Sequence, residues 1–182
     1  MRARTDMRSG PGKRGASRLP PETPRLRLVM PREAHRVAHE AFCASDRSHA
    51  GMTDQDAGDF AALVRHHEVL GYGPFVAELK EDGQAIGVFG PLKLDSQPDP
   101  EIVFLIWNAA NEGRGLGYEA AVATRAFAHW VLGWRSAVSY IAPGNARATR
   151  LAIRLGALRD GVWVTPKGNS LQVWRHPDPE AA

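Results

Sequence analysis

The stretch Asn111-Glu112-Gly113-Arg114-Gly115-Leu116-Gly117-Tyr118-Glu119-Ala120 lies between an apolar, strand-like run and a run with helical periodicity. Three alternating glycines let a backbone approach a ligand closely, although glycines also serve such junctions for steric reasons alone. A helix N-terminus favours an anion, and Arg114 adds a positive charge beside it. The stretch therefore predicts a phosphate-binding turn that extends from Gly113 to Tyr118.

Composition indicates one domain with a single core, because the chain has 182 residues and is 43% hydrophobic. The single cysteine, Cys43, excludes an intramolecular disulfide and is typical of a reducing compartment, so a cytoplasmic location is expected. No run approaches the ~18 apolar residues of a membrane span, and no membrane partner is expected.

The basic charge is concentrated at the N-terminus. The first twenty residues hold six Lys or Arg and one Asp, a formal +5, so the remainder of the chain, with +3 in total, carries about −2. A basic tail without apolar periodicity is typical of a solvated extension, and no nucleic acid partner is predicted. We expect a disordered tail over residues 1–21, a domain over 22–176 and a C-terminal tail over 177–182.

Hydrophobic periodicity predicts alternating strands and helices around the glycine-rich stretch. The predicted strands are Arg25–Val29, Phe75–Lys80, Gln84–Phe89, Glu101–Trp107, Ser136–Ile141, Val162–Thr165 and Leu171–Trp174. The predicted helices are Ala34–Phe42, Thr53–Leu70, Tyr118–Leu132 and Ala146–Leu155, the last capped by Asn145.

Two histidine pairs raise the question of a metal site. His35 and His39 are four residues apart on a predicted helix, but without a third ligand nearby they are predicted to be flanking polar residues, and no metal is expected. His66 and His67 are adjacent in sequence and are interpreted as favourable cations at a helix C-terminus.

Two separated motifs together resemble the GNAT superfamily of acyl-CoA N-acyltransferases. The first is Glu112-Gly113-Arg114-Gly115 with Glu119-Ala120, and the second is Asn145 followed ten residues later by Gly156-Ala157. The opening Glu22–Leu28 is similar to the branch that includes the ribosomal-protein N-terminal acetyltransferases. The resemblance covers about residues 22–176. It implies an α/β (α+β) fold with a mixed, curved central sheet flanked by helices, two splayed central strands and a C-terminal hairpin.

The resemblance also implies acetyl-CoA as the co-substrate. Its pantetheine arm would lie like an added strand against Ile106, Trp107 and Asn108, where splayed strands leave backbone groups unpaired. Its pyrophosphate would bind the amides from Gly113 to Tyr118.

Side chains of the second motif complete the implied cofactor site. Asn145 is the expected contact to pantetheine, and Arg150 is a plausible partner for the adenosine phosphates. Arg147 and Arg154 are interpreted as solvated. The chain departs from the family pattern at Ala148, where many relatives have serine, and at Ala152, where some have a tyrosine acid. The catalytic assignment is weaker for that reason.

The implied reaction transfers an acetyl group to a primary amine of a small molecule or a protein N-terminus. Such amines titrate near ~8 to ~10 and must lose a proton before they can attack. Glu101 is the candidate base, with Ser139 or Tyr140 as polar neighbours, although a solvent-facing carboxylate at a strand end is an equal interpretation of Glu101.

Other functions stay open at this point. A non-catalytic acyl-CoA-binding or sensing module is the alternative, whereas a dinucleotide-binding oxidoreductase would need its glycine turn after the first strand. The acceptor is not predicted, because the variable segment 44–73 and the terminal hairpin would build its pocket. The oligomeric state, monomer or homodimer, is also open.

Overall fold

The computed structural model describes residues 22–49 and 59–178. Its strands are β1 (Leu26–Val29), β2 (Phe75–Leu79), β3 (Ala85–Leu92), β4 (Glu101–Ile106), β5 (Val138–Ile141), β6 (Leu158–Val164) and β7 (Ser170–Arg175). They form one sheet in the order β1-β2-β3-β4-β5-β7-β6, in which β4 and β5 are parallel and all other neighbours are antiparallel. The predicted mixed sheet with a C-terminal hairpin is confirmed.

Helices cover both faces of the sheet. They are α1 (Arg36–Cys43), α2 (Asp46–His49), α3 (Phe60–Leu70), α4 (Leu116–Trp130) and α5 (Ala146–Arg154). Side chains of α1 and α3 pack on Val76 and Val88, whereas α4 packs on the opposite face against β1, β2 and β3. Within the described residues, no helix combines the length and the apolar character that a membrane crossing requires.

Several element boundaries differ from the sequence prediction. The helix expected from Thr53 has its described start at Phe60, where the Asp59 side chain accepts from the Ala61 amide at 2.9 Å; residues 53–58 lie outside the described part. Strand β6 begins at Leu158 because a bulge between Arg159 and Val162 interrupts its apolar alternation. The predicted tail over residues 1–21 also lies outside the described residues.

The interpretation of the histidine pairs was wrong, because burial rather than solvation sets their roles. His35 and His39 are 3% and 2% exposed; His35 Nε2 lies 2.8 Å from Glu78 Oε1, and His39 packs on aromatic rings. Burial lowers the pKa of both His66 and His67, so these side chains favour the neutral form. His67 Nε2 is 2.9 Å from the carbonyl oxygen of Pro74 and donates to it.

The parallel pair β4–β5 positions the functional site. The two strands pair only at Glu101 and Val138, with a further hydrogen bond from the Val138 amide to Pro100 O at 2.9 Å. Beyond this point they diverge toward their C-terminal ends. Within the part of the chain that the structure describes, one edge of β4 is therefore left without a neighbouring strand just before the glycine-rich turn.

Candidate functional site

A cavity of about 440 Å³ lies beside the C-terminal half of β4. Its walls come from the α1–α2 corner, from β4, from the glycine-rich turn with the start of α4, and from α5. The lining residues are Phe42, Arg47, Phe104, Leu105, Ile106, Asn111, Glu112, Gly113, Gly115, Leu116, Gly117, Tyr118, Asn145, Arg147, Ala148, Arg150, Leu151 and Arg154. Eight of the eleven residues predicted to bind the cofactor line this cavity; the exceptions are Trp107, Asn108 and Arg114.

The glycine-rich turn has the backbone geometry of an anion site. Gly113 and Gly115 have φ angles of 72° and 78°, a left-handed conformation that side chains disfavour. Glu119 N donates to Gly115 O at 3.1 Å, which leaves the first three amides of α4, from Leu116 to Tyr118, without an intrahelical acceptor. A Cβ placed on Gly113 would meet no described atom within 4 Å, so the space beside this residue is open.

Long-range contacts from β1 hold this turn in place. The Arg25 amide donates to Glu119 Oε1 at 2.8 Å, Arg25 Nε donates to Oε2 at 2.7 Å, and Arg25 Nη1 donates to Arg114 O at 2.9 Å. Burial raises the pKa of Glu119, but hydrogen bonds from Arg25 and Thr23 outweigh that effect and hold this pKa below its ordinary value. Glu119, the second acidic residue of the first motif, thus acts as a tether for the turn.

Arg114 does not line the cavity, although the sequence suggested it as a mobile charge for phosphate. Its Nη1 donates to Asn111 Oδ1 at 3.1 Å, and Asn111 Nδ2 donates to Gln84 Oε1 at 3.0 Å. Because Asn111 is buried, this chain of hydrogen bonds joins the exposed Arg114 to the β2–β3 hairpin.

Four arginines supply the cavity's charge. Arg147, Arg150 and Arg154 come from α5 and Arg47 from α2, whereas Glu112 is the single acidic residue of the lining, a formal charge of four minus one, or +3. Arg147 and Arg154 are exposed, as the solvated interpretation expects, and both also line the cavity. The Arg147 Nε atom lies 3.7 Å from Glu112 Oε1, and the Arg154 guanidinium lies 4.1 Å from the centre of the Tyr118 ring.

The open edge of β4 contributes backbone groups to the cavity. Trp107 N donates to Ile86 O at 2.8 Å, and Leu105 O faces Gly87, so Leu105 and Trp107 use their backbone groups toward β3. By strand alternation, the amides and carbonyls of Phe104 and Ile106 face the side from which β5 has diverged. These are the groups that an added strand could pair with.

Trp107 and Asn108, which were predicted to contact pantetheine, lie elsewhere. Both line a second cavity of about 640 Å³, which shares Phe42 and Arg47 with the first. The Trp107 side chain belongs to the α1–α3 face of the sheet, because successive strand residues alternate between faces. Asn108 Oδ1 accepts from the Ala110 amide at 2.9 Å and thereby caps a short turn of 3-10 helix, Ala109–Asn111.

Asn145 forms the helix cap predicted from the sequence. Its Oδ1 accepts from the Ala148 amide at 3.1 Å at the start of α5. Because one amide oxygen is used in the cap and the residue still lines the cavity, its Nδ2 is the atom suited to contact a ligand.

The three predicted catalytic residues lie at the closed end of the β4–β5 pair and outside the cavity lining. Glu101 is 7% exposed and accepts from Gln97 Nε2 at 2.6 Å, so it is not a solvent-facing carboxylate. Tyr140 OH accepts from the Asp99 amide at 3.1 Å, and burial is the main cause that raises the pKa of Tyr140 to about 12. Ser139 Oγ donates to Ile102 O at 2.6 Å and so ties β5 to β4.

His176 belongs to the same closed end, and the sequence offered no signal for it. Since Ser139 Oγ donates its proton to Ile102 O, it accepts from His176 Nε2 at 2.9 Å. Nδ1 is then the unprotonated nitrogen, 3.5 Å from Arg125 Nη1. Burial, followed by repulsion from Arg125, lowers the pKa of His176 to about 3.

Comparison with known proteins gives a consistent assignment. Residues 25–158 match the family described as "Acetyltransferase (GNAT) domain". The structure of an acetyltransferase from Agrobacterium tumefaciens is similar, with 30% identity, a TM-score of 0.74, and coverage of 92% of this chain and 99% of that one.

Two more distant structures share the fold. The aminoglycoside acetyltransferase AAC(6')-Ib in complex with coenzyme A has 22% identity and a TM-score of 0.63, covering 86% of this chain and 95% of that one. The ribosomal-protein-S5-alanine acetyltransferase from Vibrio fischeri has 13% identity and a TM-score of 0.64, covering 85% and 93% respectively.

Proposed function

Because this chain belongs to the acetyltransferase (GNAT) family, we propose that it transfers an acetyl group from acetyl-CoA to a primary amine. The observation that carries the proposal is the cavity, which combines three helix N-terminal amides, four arginines against one glutamate, and the open edge of β4. Coenzyme A is a polyanion with an amide-containing arm, so it matches both the charge and the backbone groups.

The residues present fit this donor group by group. The pyrophosphate binds at the amides from Leu116 to Tyr118, and Arg150 and Arg154 serve the adenosine phosphates. The pantetheine arm pairs with the backbone of Phe104 and Ile106, and Asn145 Nδ2 contacts the same arm. Arg114, Trp107 and Asn108 support the site from outside the cavity rather than touching the ligand.

The chemistry requires a proton acceptor on the amine side. The neutral amine attacks the thioester carbonyl carbon, a C–N bond forms, the C–S bond breaks, and the coenzyme leaves as a thiolate. Because Glu101 is buried outside the cavity lining, it accepts through water the proton that the amine loses, and Gln97 and Ser139 hold this end of the strands in place. Tyr140, with its raised pKa, stays protonated at neutral pH and can donate a hydrogen bond.

The acceptor is proposed at the level of its chemistry. A primary amine fits the family, and both a protein N-terminus and a small molecule can carry it. The fold is shared with one acetyltransferase for ribosomal protein S5 and one for aminoglycosides, and likeness at these identities concerns the fold alone.

A non-catalytic acyl-CoA-binding module is the second candidate. It is favoured by one observation, namely that the single acidic residue in the described lining, Glu112, is occupied by Arg47 at 2.5 Å. This carboxylate serves as a charge partner and offers no base within the cavity itself.

Two measurements test these functions. Acetyl-CoA at millimolar concentration should raise the melting temperature through linkage, whereas NAD should not. Release of free thiol from acetyl-CoA across a panel of peptide N-termini and small amines should identify turnover. Equal shifts with both nucleotides would contradict the donor site, and binding without thiol release on any amine would favour the sensing module.

A further inference from the structure

Arg47 occupies an unusual place between the two cavities. It lies on α2 and lines both of them, and its side chain is 20% exposed. The corner that carries it is compact, because Ser45 Oγ donates to Phe42 O at 2.6 Å and Ser48 Oγ donates to Cys43 O at 2.9 Å. These hydrogen bonds within the corner therefore fix the backbone that carries Arg47.

The Arg47 guanidinium bonds directly to the open edge of β4. Its Nη2 donates to Ile106 O at 3.1 Å and to Glu112 Oε1 at 2.5 Å, whereas its buried Nε has no hydrogen-bond partner among the described residues. Ile106 O is one of the backbone groups left without a strand partner where β5 diverges. Arg47 thus supplies a hydrogen-bond donor to a carbonyl that β5 does not pair with.

We infer that Arg47 competes with the donor's pantetheine arm for Ile106 O, and that it is a specificity-determining residue for the donor. The inference rests on the proposed function, in which a pantetheine amide pairs with this strand edge. For that pairing to form, the Arg47 guanidinium must break its hydrogen bond to Ile106 O. It can keep its ion pair with Glu112 while it does so. Only ligands with a pantetheine arm meet this competition; a ligand that has the phosphates alone does not reach Ile106.

The test compares dissociation constants for two probes. Acetyl-CoA carries both phosphates and pantetheine, whereas adenosine 3',5'-bisphosphate carries phosphates without pantetheine. In Arg47→Met, which keeps an apolar stem but removes the guanidinium, the ratio of the Kd of the bisphosphate to the Kd of acetyl-CoA should rise about fivefold, the usual worth of one net hydrogen bond. Loss of the positive charge weakens the binding of both ligands alike, so its effect cancels in the ratio of the two Kd values.

Arg147→Met is the matched control. Arg147 lines the same cavity and approaches the same Glu112 carboxylate at 3.7 Å, but it is on α5 and its removal should leave the ratio unchanged. A ratio that stays constant or falls in Arg47→Met overturns the inference, and so does an equal rise in both variants.

Arg47→Lys keeps the test decisive if Arg47→Met does not fold. Lysine retains the charge beside Glu112, but its ammonium does not reproduce the guanidinium geometry with which Nη2 bonds both Ile106 O and Glu112 Oε1, so a smaller rise of the same sign is expected, and its absence overturns the inference. If the unaltered protein binds the bisphosphate and not acetyl-CoA, the proposed donor site is wrong and this inference with it. If the unaltered protein binds both ligands but the ratio is unchanged in the variants, the inference is wrong and the proposed donor site stands.

Discussion

The two ends of the β4–β5 pair are built on opposite plans. At the open end, helix amides and strand groups face a cavity, and arginines surround it. At the closed end, Glu101, Ser139, Tyr140 and His176 are buried, and each has a hydrogen bond within the protein. The open end is thus ready for a ligand, whereas the closed end is already satisfied.

This difference separates binding from chemistry. Backbone groups carry much of the open end, so we expect ligand binding there to tolerate departures such as Ala148 and Ala152 from the family pattern. The closed end depends on particular side chains whose removal leaves a buried partner unsatisfied. We therefore expect substitutions there to affect stability and turnover strongly, and substitutions at the open end to affect ligand affinity.

The largest expected effect is on stability and concerns His176. Its pKa is about 3 in the folded protein, against an ordinary value of 6.5, so the unfolded chain takes up the proton first as pH falls. The contribution of neutral His176 to the free energy of unfolding is fully present above pH 6.5. It declines as pH falls toward 3, and about 4 kcal/mol of it is lost at pH 3.5. Urea unfolding at a series of pH values between 7 and 3.5 measures this decline in the free energy of unfolding.

His176→Gln is the control for this pH dependence. Its side-chain amide can still donate to Ser139, but it has no titration, so the slope between pH 6.5 and pH 4.5 should be clearly reduced. The lowered pKa values of His66 and His67, together with those of Glu78 and Glu119 toward the acid end, contribute to the remaining slope. An identical slope in the variant would contradict a neutral, buried His176.

The next effect concerns turnover. With a true acceptor, Glu101→Gln should lower kcat by ~10² or more, because the amine loses its proton acceptor, while the Kd for acetyl-CoA changes little. Asp99→Asn is a matched control, since Asp99 is a second carboxylate at the closed end and pairs with Arg175 at 3.2 Å. Wild-type turnover of Glu101→Gln across pH 6 to 9 would exclude Glu101 as the base.

The smallest effect belongs to the open end. Asn145→Ala should weaken acetyl-CoA binding about fivefold and cost about 1 kcal/mol of stability through loss of the α5 cap. Asn145→Asp keeps the capping oxygen and loses the amide donor, so it should retain stability and still lose affinity. If Asn145→Asp binds acetyl-CoA as the unaltered protein does, the residue is a cap and nothing more.

The glycine-rich stretch shows how far the sequence prediction reached. Gly113 and Gly115 adopt left-handed angles that favour glycine, whereas Gly117 allows close packing, because a Cβ there would lie 3.0 Å from Ile106 Cδ1. Both interpretations of the glycines, conformational and steric, therefore hold within one turn. The arginine row on α5 was visible at helical spacing, but spacing did not reveal that Arg147 and Arg154 line the cavity.

The sequence by itself determined the features that depend on neighbouring residues: the turn before α4, the Asn145 cap, the strands and their order along the chain. Tertiary structure alone decided the contacts between distant segments, such as Arg47 with Ile106, 59 residues apart, and Ser139 with His176, 37 apart. The physical reason is that turns and caps are formed by adjacent backbone groups. Which side chains share a cavity depends instead on where β4 and β5 stop pairing, and no local pattern records that point.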